Sequence, residues 1–113
     1  MTAQDDTLAA QLAPYRATPG IVAALLVSSD GFVVASDVDA GIDPVAIAAQ
    51  VAGVINLGAV FASELGQPKL NLLALDFDTL NAVIAPFDSE LMLVLVGKPE
   101  ALTFDLRLNK PGA

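Results

Sequence analysis

The sequence predicts a mixed α/β domain of the α+β class, with one five-stranded antiparallel sheet and helices on both faces. A length of 113 residues is that of one domain with a single core. Two apolar runs before a long helix and three after it are joined within each group by short turns, which connect neighbouring strands in antiparallel fashion. Ile21 to Val27 and Leu91 to Val96 lack polar alternation, as interior strands covered on both faces do. The predicted order is α-β-β-α-β-β-β, followed by a short C-terminal α.

The N-terminal part is predicted to form a short helix. Residues 5–7 (Asp-Asp-Thr) can cap it, and Leu8 and Leu12 form an i, i+4 apolar pair. Pro14 is predicted to kink or end this helix, since proline cannot donate the backbone hydrogen bond of a helix interior.

A β-hairpin follows. Ile21 to Val27 is rich in β-branched residues, and the turn Ser-Ser-Asp-Gly at 28–31 leads into a second apolar run, Phe32 to Ala35. The polar segment Asp37 to Asp43 is predicted to be a loop.

The longest element is a helix from Pro44 to about Leu65. Asp43 provides the N-cap, and Pro44 occupies the first turn, where no N–H donor is needed. Gly66 is predicted to end the helix, and Pro68 prevents its continuation. At 1.5 Å per residue the helix is roughly 33 Å long.

Three strands and a tail complete the chain. The tail from Pro99 to Leu108 fits either a short helix or an alternating strand, and the helix is favoured. We expect one domain over 1–113, with its core at about 5–97 and a short tail at 98–113. The predicted strands are Lys69 to Phe77, Asn81 to Phe87 and Leu91 to Val96.

Charge and composition exclude several classes of partner. The net charge is −8, from thirteen acidic and five scattered basic residues, so nucleic acid and anionic membranes are poor partners. The sequence has no cysteine, and its start lacks the basic and apolar regions of a signal peptide. The apolar stretch from Pro44 to Ala62 has the length of a membrane span, but Gln50 and Asn56 interrupt it. Acidic Asp43 and Glu64 flank it, and no Lys, Arg, Trp or Tyr anchors either end. We therefore expect a cytoplasmic protein without membrane insertion.

The residues offer little catalytic chemistry. The chain has no histidine and no cysteine, which removes the usual acid–base, nucleophilic and zinc-binding groups. Gly97-Lys98-Pro99 is not a phosphate-binding loop. The carboxylates between Asp37 and Asp43 suggest a calcium loop, but Gly41 is one place early and Ala48 replaces the required glutamate. We predict no enzyme activity, no cofactor and no metal site.

The long helix has two apolar sides. At 100° per residue, a stripe predicted to lie on the sheet contains Ile47, Val51, Val54, Ile55, Phe61 and Leu65. The opposite side should be charged if it faced solvent, yet it is rich in alanine and glycine, and a Gly in a helix interior is usually compensated by close packing. A simple alanine-rich exposed face is the alternative. The predicted dimer interface comprises Ala46, Ala49, Gln50, Gly53, Leu57, Val60 and Glu64 on the helix, with Leu70 and Leu72 on the following strand.

The sequence resembles the roadblock family of dynein light chains and bacterial gliding-motility GTPase regulators. The resemblance covers about residues 5 to 97. It rests on Pro19-Gly20, the hairpin IVAALLVSSDGFVVASD, and a long alanine-rich helix closing on Glu64-Leu65-Gly66 before three strands. The family often ends in a longer amphipathic helix, whereas the tail of this sequence is short and finishes LNKPGA, so a function assigned to that helix is not carried over.

The resemblance implies a roadblock/profilin-like sandwich. In that arrangement two subunits pair through the long helix and the neighbouring edge strand. It also implies a non-enzymatic adaptor or regulator that binds a Ras-like small GTPase and influences its nucleotide state. The alternative is a structural scaffold subunit that pairs with another roadblock protein and does not regulate a GTPase directly.

Overall fold

The computed structural model of the chain describes residues 8–102. Residues 8–10 are helical and a turn follows them. The further elements are α1 (Ala13–Arg16), β1 (Ile21–Ser28), β2 (Val33–Val38), α2 (Pro44–Glu64), β3 (Leu73–Asp76), β4 (Asn81–Pro86) and β5 (Leu91–Gly97). The predicted C-terminal helix lies largely outside the described residues, as do the predicted capping residues at 5–7.

The five strands form one antiparallel sheet in the order β2-β1-β5-β4-β3. The predicted fold class is confirmed, and β1 and β5 are interior strands as their unbroken apolar sequences predicted. The two edge strands are β2 and β3.

Each face of the sheet carries its own core, because successive residues of β1 point to opposite faces. On one face α2 packs over the odd-numbered residues of β1, and on the other face the N-terminal helical residues pack over the even-numbered ones. The first core contains Ala23, Leu25, Val27, Ala48, Val51, Ile84 and Val94. The second contains Leu12, Ala24, Leu26 and Ala35.

The structure corrects the predicted role of Pro14. The helical segment is interrupted at residues 11–12, before Pro14, and Pro14 then lies in the first turn of α1. Proline fits there because the first turn of a helix leaves its N–H groups without intrahelical partners.

Strand β2 is longer than predicted. It continues past Ala35 to Val38, with Asp37 paired to Ala24 of β1. The polar residues that indicated a loop are compatible with a strand here because β2 lies at the sheet edge, where polar side chains reach solvent.

Strand β3 is shorter than predicted. The predicted strand, Lys69 to Phe77, is reduced to Leu73–Asp76, so Leu70 and Leu72 do not belong to it. Leu73 pairs with Ile84, and the same register would place Asn71 opposite Pro86. Pro86 is the last residue of β4 and has no N–H to donate, so the ladder stops before that pair.

Arg16 joins the N-terminal segment to the end of β2. Its guanidinium donates hydrogen bonds to Asp37 Oδ1 at 3.0 Å, to Asp39 Oδ1 at 2.6 Å and to the carbonyl of Ile21 at 2.7 Å. The hydrogen bond to Asp39, more than that to Asp37, raises the pKa of Arg16, although burial opposes it. Two carboxylates of the suggested calcium loop therefore bind Arg16.

The third carboxylate of that loop, Asp43, has the predicted role of N-cap. Its Oδ1 accepts hydrogen bonds from the backbone N–H of Val45 at 3.0 Å and of Ala46 at 3.3 Å. These bonds satisfy two of the free N–H groups at the start of α2.

We expect Arg16→Gln to lower the free energy of unfolding by about 1 kcal/mol, because Asp37 and Asp39 keep their charges but lose their partner. Both carboxylates are about half exposed, which limits the effect. Urea unfolding measures it, with Lys98→Gln at an exposed lysine as the control. Equal stability of the two variants would show that the ion pairs contribute nothing.

Candidate interaction surface

Helix α2 begins and ends where local sequence signals predicted. At its C-terminus Gly66 adopts φ +71°, a left-handed conformation that glycine reaches without a Cβ clash. The N–H of Gly66 donates to the carbonyl of Ser63, and the N–H of Gln67 donates to the carbonyl of Ala62. These are the paired bonds of a Schellman motif. The helix is therefore a well-defined 21-residue element.

Only a small part of α2 is covered by its own chain. Its buried residues are Ala48 and Val51, both in the N-terminal half. They pack over β1 and β2, and the turn of the β1–β2 hairpin approaches the helix at Gly31. The opposite side, from Ala46 to Glu64, is exposed.

The prediction that Phe61 and Leu65 belong to the core is wrong. Phe61 is 66% exposed and Leu65 is 61% exposed. The apolar periodicity of α2 continues beyond the part of the helix that rests on the sheet. The apolar stripe was therefore predicted correctly, but its C-terminal part is not buried. Together with the exposed Leu57 and Val60, these residues form the apolar end of α2.

An open groove of about 430 Å³ lies between α2 and strands β3, β4 and β5. It is lined by no charged side chain, and Gln50 is its one polar lining residue among the residues that the structure describes. The groove exists because α2 covers β1 and β2 and leaves the other strands of this face partly uncovered. Its lining is Ala46, Ile47, Gln50, Val51, Val54, Leu75, Phe77, Leu80, Ala82, Ile84, Val94 and Val96.

The structure brings most of the predicted interface residues onto one surface. The helical members lie together on the exposed side of α2, and two of them, Ala46 and Gln50, also line the groove. Leu72 is 50% exposed just before β3. Leu70 differs from these exposed residues because it packs against Gly58 of helix α2 in the same chain. The exposed helical members are Ala46, Ala49, Gln50, Gly53, Leu57, Val60 and Glu64.

Sequence reasoning missed the exposure of Phe61 and Leu65 at the apolar end of α2, and it missed the strand side of the groove. A signal for the first was available, since Glu64 is the single charged residue of α2. A helix that is apolar on all sides is expected to be buried against other protein surfaces on every side. The strand side of the groove had no such signal, because only the order of the strands brings residues such as Phe77 and Leu80 opposite α2.

The two sheet edges differ in chemistry. Edge strand β2 exposes Ser36 and Asp37, polar residues that discourage pairing with another strand. Edge strand β3 has the sequence Leu-Ala-Leu-Asp and adjoins the groove through Leu75. The apolar surface of α2 and the groove thus continue to the β3 edge.

By length and composition α2 is also apolar enough to cross a membrane, with a mean hydropathy of 2.0 in its most apolar window. One such helix is weak evidence for a membrane span. Its N-terminal half packs on the sheet of a folded α+β domain, with Ala48 and Val51 in the core.

Comparison with known proteins decides the family. The model of the Roadblock/LC7 domain matches residues 7–97. The chain belongs to the Roadblock/LC7 family. A search of curated protein sequences finds no match to this Roadblock/LC7 domain.

Solved structures share the fold of this Roadblock/LC7 domain. Myxococcus xanthus MglB aligns with a TM-score of 0.81 at 14% identity, over 90% of this chain and 77% of that protein. The gliding protein mglB from Thermus thermophilus aligns with a TM-score of 0.79 at 21% identity, over 90% and 78%. A Roadblock/LC7 domain from Streptomyces avermitilis aligns with a TM-score of 0.71 at 23% identity, over 86% and 80%. At these identities the likeness concerns the fold.

Proposed function

We propose that this Roadblock/LC7 domain is a cytoplasmic, non-enzymatic homodimer that binds a Ras-like small GTPase and influences its nucleotide state. The observation that carries the proposal is the large apolar surface formed by the exposed side of α2, the groove and the β3 edge. A surface of this extent on a folded domain calls for a protein partner.

A second copy of the chain fits this surface because each copy offers both complementary parts. The apolar end of α2 projects Leu57, Phe61 and Leu65, and the groove of the other copy can receive apolar side chains. A two-fold axis lets both copies make the same contact at once. Standard interfaces bury about 1,200 to 2,000 Å² in total, and the helical residues predicted from sequence form one part of the interface proposed here.

The β3 edges support the same arrangement. Strand β3 is the apolar edge and lies beside the groove, so pairing of β3 with β3 of the second copy would join the two sheets. The new backbone hydrogen bonds would satisfy the free edge groups, and the polar β2 edges would remain at the outside.

The GTPase partner rests on the family resemblance and on the absence of catalytic groups. Two of the similar structures are MglB proteins, and the resemblance to gliding-motility regulators implies a GTPase-binding role. Gly97-Lys98-Pro99 is not a phosphate-binding loop, and we assign the chain itself no catalytic step on the nucleotide. A regulator of this kind acts by holding the switch loops of the GTPase in one conformation.

The charge of the domain predicts how such a partner binds. With a net charge of −8, the domain attracts a basic surface and repels an acidic one. We expect the association rate to fall as ionic strength rises from about 50 to 500 mM, because salt screens such steering. Stopped-flow measurements with the partner would detect the change.

The experiment that tests the function is direct binding to a purified Ras-like GTPase from the same genome. Affinity capture from native cytosol supplies the candidates, and calorimetry then compares the GDP-loaded form with the form holding a non-hydrolysable GTP analogue. We expect one form to bind more tightly. Equal binding of both forms, with unchanged rates of nucleotide hydrolysis and exchange, would exclude an influence on nucleotide state, and failure of every such GTPase to bind would overturn the proposed partner.

A further inference from the structure

A close contact joins the apolar end of α2 to the chain that leads into β3. A β-carbon built on Gly58 would lie 2.7 Å from Cδ2 of Leu70, nearer than any real side chain could approach. Glycine at this helical position therefore makes room for Leu70. A β-carbon built on Gly53 would have nothing within 4 Å, so the two helical glycines have different surroundings.

Leu70 is the main contact between α2 and the segment at 68–72, which connects α2 to β3. The Schellman motif of α2 ends with the hydrogen bond from Gln67, and β3 begins at Leu73. Between these points, within the described part of the chain, residues 68–72 make no backbone hydrogen bond. Leu70 is half-buried while its neighbours Lys69 and Asn71 are exposed.

We propose that Leu70, seated against Gly58, positions edge strand β3 for pairing with a second copy of this chain. The inference rests on the proposed homodimer and adds a residue that controls its formation. Leu70 lies only three residues before Leu73, so its contact with α2 restricts where β3 begins relative to the apolar end. Holding an edge strand in its paired position before association reduces the entropy lost on binding.

The test uses Gly58→Ala in the full chain. The atom in the way is the far end of a flexible side chain, so Leu70 can turn aside and the domain still folds. We expect the dissociation constant of the dimer to rise about tenfold, a change typical of displaced contacts in a packed site. Hydrogen exchange should accelerate in the peptide covering Leu73–Asp76 and stay unchanged in peptides from β1.

The matched control is Val45→Ala, which also raises helix propensity but is exposed on the side of α2 that faces away from the groove. It should leave the dissociation constant and the exchange of β3 unchanged. Leu70→Ala removes the same contact without adding volume and should reproduce the effect of Gly58→Ala. The double variant should be no weaker than either single one, because both changes delete one contact.

The outcomes separate this inference from the proposed function. If the wild-type chain is monomeric, the homodimer itself is wrong. If the wild type is a dimer and Gly58→Ala neither weakens it nor accelerates exchange in β3, the positioning role of Leu70 is overturned while the dimer stands. Faster exchange throughout the sheet would mean that the contact serves general stability, which also contradicts the proposal.

Discussion

Gly53→Glu should convert the dimer into a monomer without unfolding the domain. Gly53 is the tenth of the 21 residues of α2, so a two-fold axis that crosses the middle of the helix brings the two copies of this residue together. The substitution would place two like charges in an apolar contact with little water to solvate them. We expect dimer affinity to fall by at least about a hundredfold, roughly 3 kcal/mol.

The single chain accommodates the same change easily. Nothing lies within 4 Å of a β-carbon at Gly53, and glutamate is the better helix former by about 0.5 kcal/mol. Light scattering reports the mass, and urea unfolding reports the stability of the resulting monomer. Ala59→Glu adds the same charge about 120° around the helix, at an exposed position outside the proposed interface, and should leave the dimer intact. A Gly53→Glu dimer with raised stability would contradict the proposed contact.

Leu25→Ala should lower the free energy of unfolding by about 3 kcal/mol. Leu25 is fully buried on interior strand β1, in the core that α2 closes with Ala48 and Val51. The substitution removes apolar contacts and leaves a cavity that a sheet held on both sides cannot close. For a small domain this is a large part of the total stability.

Urea unfolding at one fixed protein concentration measures the loss, since dimer formation adds to apparent stability. Phe32→Ala is the control, because Phe32 is 69% exposed in the hairpin turn and should change stability by less than about 0.5 kcal/mol. A small effect of Leu25→Ala would show that this core is not packed as described.

The ends of a helix or strand were predicted correctly from the sequence where neighbouring residues determine them. The cap at Asp43 and the glycine at Gly66 define α2 locally, and the structure has the helix within one residue of its predicted end. The start of β3 depends on a distant residue, because pairing stops at Pro86 of β4. The end of β2 was missed because polar residues are tolerated at a sheet edge that the sequence does not identify.

The candidate surface was predictable only in part. Helical projection identified the exposed side of α2, since that depends on positions within one element. It could not show that the sheet leaves Phe61 and Leu65 without cover. The groove was beyond prediction because Leu80 and Val96 come to line it opposite α2 only after the strands assemble in their observed order.

In the proposed homodimer a second copy covers the apolar surface of α2, the groove and the β3 edge. Sedimentation equilibrium of the wild-type protein over a range of micromolar concentrations tests it most directly. We expect a mass of twice the 11.6 kDa of the chain. A constant mass of 11.6 kDa across that range would contradict the homodimer.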